Sequence, residues 1–114
     1  MSTPFAPSEA WKSCVEAVRE AADIASSFDG RLSCDPIPGG VRLLFSHPGR
    51  DARALSIAVH EAGDGVRITA RVEEEEGEVL CAYEGSPKPA AAMRAAMRAI
   101  GRFYGEEVRR VSRG

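Results

Sequence analysis

The segment Leu55-Ser56-Ile57-Ala58-Val59-His60-Glu61-Ala62-Gly63-Asp64-Gly65-Val66-Arg67-Ile68-Thr69-Ala70-Arg71-Val72 decides the fold. Read in steps of two, it gives Leu55, Ile57 and Val59, and then Val66, Ile68, Ala70 and Val72. Alternation of this kind puts every second side chain on one face of a pleated strand. Between the two runs lies a Gly/Asp-rich break where the chain can reverse, because glycine accepts a positive φ without a Cβ clash. The pattern predicts an antiparallel hairpin with one apolar face, at the centre of the stretch from Ala52 to Glu84.

Downstream, the acidic run Glu73-Glu74-Glu75-Glu76-Gly77-Glu78 leads into a further strand, Val79 to Glu84. Upstream, in Val41-Arg42-Leu43-Leu44-Phe45, the residues Val41, Leu43 and Phe45 share one face and Arg42 and Leu44 the other. Before the turn Pro38-Gly39-Gly40, the stretch Arg31 to Asp35 reads as a short strand with Leu32 facing inward and Cys34 able to join it. Pro36 and Pro38 remove backbone donors and confine that strand to an edge.

Helical periodicity brackets the strands. Ser8 is placed to cap a first helix, with Glu9 at its positive end. Trp11, Cys14, Val15, Val18, Ala22 and Ala25 form its apolar stripe, Phe28 closes it, and Asp29-Gly30 ends it. Ser86 and Pro87 are placed to open a second helix as cap and first helical residue. Its arc is Met93, Ala96, Met97, Ile100, Phe103, Tyr104, Val108 and Val111. Gly101 and Gly105 each cost that helix about 1 kcal/mol relative to alanine, which fits either a close helix crossing or a bend. The expectation is an α+β fold: an antiparallel four- to five-stranded meander sheet with N-terminal and C-terminal helices packed on one face. At 114 residues the chain is read as a leader over 1–7 and a single domain over 8–114.

The composition, 44% hydrophobic and 28% charged with a net charge of −2, is that of an ordinary globular protein. No apolar run approaches the roughly 18 residues of a membrane helix, and the first residues lack a secretory pattern. Cys14, Cys34 and Cys81 are widely spaced and form no metal or disulfide motif; buried free thiols in a reducing cytoplasm are expected. Only Lys12 and Lys88 among the 15 basic residues are lysine, a bias of GC-rich bacterial genomes. No cofactor is expected, since no phosphate loop or ligand spacing is present.

Residues that could carry chemistry are few. His47 precedes Asp51 by four residues, but no nucleophile accompanies it, and a solvated turn histidine is the simpler reading. His60 follows Val59 and points away from the core. The glutamate run alternates faces and so reads as a solvated hairpin tip that discourages edge pairing, in preference to a metal site. On the second helix, Arg94, Arg98, Arg102 and Arg109 fall in one arc, a possible contact for phosphates or another anionic partner. On the sheet face away from the apolar one, Leu44, Ala54, Ser56, Ala58 and Thr69 form a surface of small, weakly polar residues, with Val79 or Leu80 joining according to register. Small residues let a second surface approach, so these five are read as partner-binding.

The sequence therefore points to a small non-enzymatic protein-interaction module (adaptor, secretion-chaperone-like or inhibitor protein), partnered by itself as a homodimer or by another protein. A nucleic-acid or phosphate binder using the arginine arc is the first alternative. A pocket between helices and sheet near Trp11, Tyr83 and Tyr104, serving a small molecule or a reaction, is the second.

Overall fold

The computed structural model describes residues 6–74 and 77–113. The order is α1 (Ala6–Ser26), β1 (Leu32–Ile37), β2 (Gly40–Phe45), β3 (Arg53–Ala62), β4 (Gly65–Val72), β5 (Val79–Gly85) and α2 (Pro89–Ser112). The strands form one sheet in the order β1-β2-β3-β4-β5, each antiparallel to its neighbour. The central hairpin runs in register from Leu55↔Val72 to Ala62↔Gly65. Its turn is only Gly63-Asp64, and Gly63 sits at φ +59, which a two-residue reversal demands.

Alternation places Val41, Leu43, Phe45, Leu55, Ile57, Val59, Val66, Ile68 and Ala70 on one face, and all are buried. Both helices pack on that face. α1 contributes Cys14, Val15, Val18, Ala21 and Ala22, and α2 contributes Ala92, Ala96, Ile100 and Phe103. Each fully buried Leu, Ile or Phe supplies about 2 kcal/mol of apolar transfer. The alanines on both helices let them lie side by side, pointing the same way. The start of α1 is held where Trp11 Nε1 donates to the Val59 carbonyl at 2.7 Å. α2 starts at that same end, just after Gly85, which pairs with Val66. At the other end Tyr104 donates to Asp29 at 2.5 Å, and Arg110 to the Asp51 carbonyl at 3.2 Å.

Several element ends differ from expectation. α1 begins at Ala6, so Ser8 lies within the helix and not at its flanking position. Of the expected leader, residues 1–5 lie outside the described residues and Ala6 and Pro7 are already helical. α2 begins with Pro89 at its first turn and Lys88 as the flanking residue, with no side-chain cap. The cause is steric: a residue before proline is pushed out of the α region, and Lys88 is extended at φ −107, ψ 121. The last proline, Pro89 and not Pro87, therefore sets the start. Phe28 does not close the apolar stripe. The helix stops at Ser26, and Phe28 is 81% exposed in the turn beyond.

A register shift between Ile68 and Thr69 leaves Ala82 extra on β5, a bulge of the kind that twists an edge. Val79 pairs with Arg71 and Leu80 with Ala70, so Val79 joins the uncovered face and Leu80 the helix side.

Candidate functional site

The uncovered sheet face carries the five residues expected to meet a partner. Leu44 pairs with Ala54 and Ala58 with Thr69, while Ser56 lies opposite Arg71. They share one surface, but it is not a bare apolar one. Ala54 is only 2% exposed. Arg42 Nε donates to the Glu73 carboxylate at 3.0 and 3.1 Å, and the Ser56 hydroxyl donates to the same carboxylate. Hydrogen bonding from Ser56, then from Arg42, holds the Glu73 carboxyl below its ordinary range. Glu73 is thus an internal partner, not part of a solvated tip. Glu74, just beyond β4 as well, turns the other way, 3.3 Å from Arg53, so the two carboxylates diverge. Glu75 and Glu76 lie outside the described residues.

α2 presents Arg94, Arg98, Arg102 and Arg109 as exposed residues. None of the four is in an ion pair among the described residues. The pairings fall instead on Arg110 and Arg53, which hold Glu107. That carboxylate is 2% exposed; it accepts from Arg110 at 2.6 Å and lies 3.6 Å from Arg53.

Between α2 and the β4–β5 half of the sheet lies a groove of about 940 Å³. Leu55, Ala70 and Val72 line its sheet side, Leu80 and Ala82 belong to β5, and Ala95, Ala99 and Phe103 line the helix side. Glu78, Met97, Arg98, Gly101, Arg102 and Glu106 complete the lining. The physical origin is small opposite small: alanines on the helix face alanines on the strands, and nothing fills the gap. Leu80 at 48% and Met97 at 39% are exposed in it. A Cβ added at Gly101 would meet no atom within 4 Å. That glycine is therefore not needed for α2 to pack on α1 or the sheet.

The expected pocket near Trp11, Tyr83 and Tyr104 does not form among the described residues. Trp11 is bonded to Val59 and Tyr83 donates to the Ser86 carbonyl at 2.8 Å, both towards the β3–β4 turn. Tyr104 belongs to a polar cluster at the far end. There Asp29 accepts from Arg31 Nη2 at 2.8 Å and from Tyr104, and Arg31 lies 5.0 Å from the Phe45 ring centre. Arg31, first, and Tyr104 hold the Asp29 carboxyl well below the carboxylate range, and the same contact raises the Tyr104 hydroxyl. His47 joins through Arg31 Nη1, 3.4 Å from its Nδ1. With its carboxylate and guanidinium satisfied by one another, this cluster fastens α2 to the α1–β1 turn. His60 stands apart, 3.0 Å from the Thr69 hydroxyl.

The three cysteines are free; Cys14 is buried, Cys34 half-buried and Cys81 exposed. The expectation of buried thiols thus holds for Cys14, whose thiol burial pushes up, and not for Cys81. Among the described residues no cluster of His, Cys, Asp and Glu is arranged to hold a metal ion. No helix among them is long and apolar enough to cross a membrane. The helix-side groove was not legible from the strands alone; the signal for it was Ala95 and Ala99 on α2, outside the expected arc and too small to fill the space above β4 and β5. No protein family, curated protein or solved structure matches this chain.

Proposed function

We propose that this chain is a protein-interaction module whose contact surface is the groove between α2 and β5. The observation that carries the reading is the groove's composition: an apolar floor of Leu55, Val72 and Leu80 beneath exposed Met97, opening beside an edge strand. A concave apolar surface rimmed by polar groups is a form that interaction sites take. The exposed strand adds backbone donors and acceptors for an incoming segment. The opposite sheet face is a weaker candidate, because Arg42, Ser56 and Glu73 already satisfy one another across it.

A photo-cross-linking amino acid at position 97, in the protein expressed in its native host, tests this. Adducts with polypeptide, of the same chain or another, are expected at position 97 and not at position 58. Absence of any polypeptide adduct at position 97 overturns the reading. Exposed Arg94, Arg98, Arg102 and Arg109 favour a second reading, a nucleic-acid or phosphate ligand. Adducts with nucleic acid at position 97, released by added salt, are the outcome that selects it.

A further inference from the structure

Resting on the interaction reading, we infer that the occupant of the groove is a second copy of this chain, joined across a two-fold axis by antiparallel pairing of the two β5 edges. Three independent features of the molecule converge on this partner.

The first is the contrast between the two sheet edges. β1 carries Pro36 and Asp35, a proline and a charge that blunt edge pairing. β5 reads Val-Leu-Cys-Ala-Tyr-Glu-Gly; it has no proline, its bulge at Ala82 and its one charge, Glu84, lie in its second half, and the outer side of Val79–Cys81 has no strand partner among the described residues. Antiparallel pairing of a strand with its own copy is isologous: every contact is made twice, and the assembly closes at two chains.

The second is charge placement around the groove. Glu74, Glu78 and Glu106 line the end where β5 starts, with Arg98 and Arg102 on its α2 wall. Lys88 and exposed Arg94 lie beyond the other end, near Glu84 of β5. An antiparallel two-fold sets the acidic end of one groove towards Lys88 and Arg94 of the other chain.

The third is Gly101. It sits in the middle of a long helix, on the groove side, where a Cβ would meet open space. The fold of one chain gives it no steric reason to be glycine. A second α2 brought over the joined β5 edges, with Met97 and Leu80 of both chains covering one another, approaches at that position. A glycine there admits a neighbouring backbone.

Analytical ultracentrifugation of the purified full chain tests the inference. The wild type is expected to sediment as a dimer at micromolar concentration. Gly101→Ala is the sharpest variant, since it cannot clash within the chain and favours the helix. It should raise the melting temperature of the monomer while weakening dimerisation roughly tenfold, as overpacking of a close contact does. Leu80→Lys, a charge on the edge strand, should abolish the dimer with the circular dichroism spectrum unchanged. Ala58→Arg, on the opposite face, should leave it intact. A dimer that survives both Gly101→Ala and Leu80→Lys, or one broken by Ala58→Arg alone, overturns the inference. So does a wild type that stays monomeric; polypeptide adducts of another protein at position 97 would then leave the interaction-module reading standing without it.

Discussion

The two halves of the helical layer are built differently. α1 lies over β1, β2 and β3 and is fastened along its length. Trp11 bonds the end of β3, and Arg19 donates to the Gly40 and Ile37 carbonyls at 2.9 and 2.8 Å. Beneath it Leu43, Ile57 and Phe45 are sealed to within 1% exposure. α2 is fastened at its C-terminal end, by Glu107, Arg110 and Tyr104, while the strands beside it, β4 and β5, stay partly open. Leu80 and Met97 are exposed where their counterparts on the α1 side are covered. The difference is one of cover: Leu43, Ile57 and Phe45 are sealed beneath α1, whereas Leu80 and Met97 stay open to solvent beside α2.

Truncating both halves equivalently gives the largest contrast. Leu43→Ala removes a fully buried side chain and should cost about 3 kcal/mol. Leu80→Ala, studied at a concentration where the chain is monomeric, should cost less than about 0.5 kcal/mol, as surface changes do. Urea denaturation followed by fluorescence of Trp11 measures both, and equal losses would erase the distinction between the halves.

The next effect concerns the end at which α2 is held. Arg110→Met leaves the Glu107 carboxylate buried with only the more distant Arg53, and should cost about 2 to 3 kcal/mol. Glu107→Gln leaves the arginines, which reach solvent, and should cost less. Chemical denaturation of the two variants compares them; a larger loss for Glu107→Gln would mean that the carboxylate is not the group that depends on the pairing.

The smallest effect lies at the Asp29 cluster and depends on pH. The carboxyl of Asp29 is lowered in the folded chain. Its contribution is therefore fully present above the unfolded value of roughly 3.9 and is lost as the pH falls towards the folded value. Asp29→Asn should lower the melting temperature at pH 7, and the difference from wild type should shrink as the pH is taken below about 4. Melting curves across that range show it; a difference that persists unchanged into acid would remove the carboxylate from the account.

The alternation at Leu55–Val72 and the stripes from Trp11 to Ala25 and from Met93 to Val111 carried the fold, because period and turn chemistry are local. They indicate which face a residue occupies. They do not indicate which residue it meets. Arg19 reads as an exposed helix arginine until the β1–β2 turn arrives beneath it. Asp29 reads as a helix end until Tyr104 comes to it. Glu107 had a signal that charge obscured: with Ala96, Ile100 and Phe103 it continues one buried stripe at helical spacing. The groove was the least legible feature, since it depends on the height at which α2 rides above β4 and β5. The arginine arc and the uncovered-face residues were legible as surfaces, but their ion pairs and hydrogen bonds were not.

The meander order also has a kinetic consequence. Every strand pairs only with its neighbour in sequence, so the sheet can zip up hairpin by hairpin with short loops to close. The helices are the exception: Tyr104 and Asp29 meet across 75 positions of chain. α1 leaves the ribosome before the strands and α2 after them. The nascent sheet therefore waits with half its apolar face bare until α2 closes against α1.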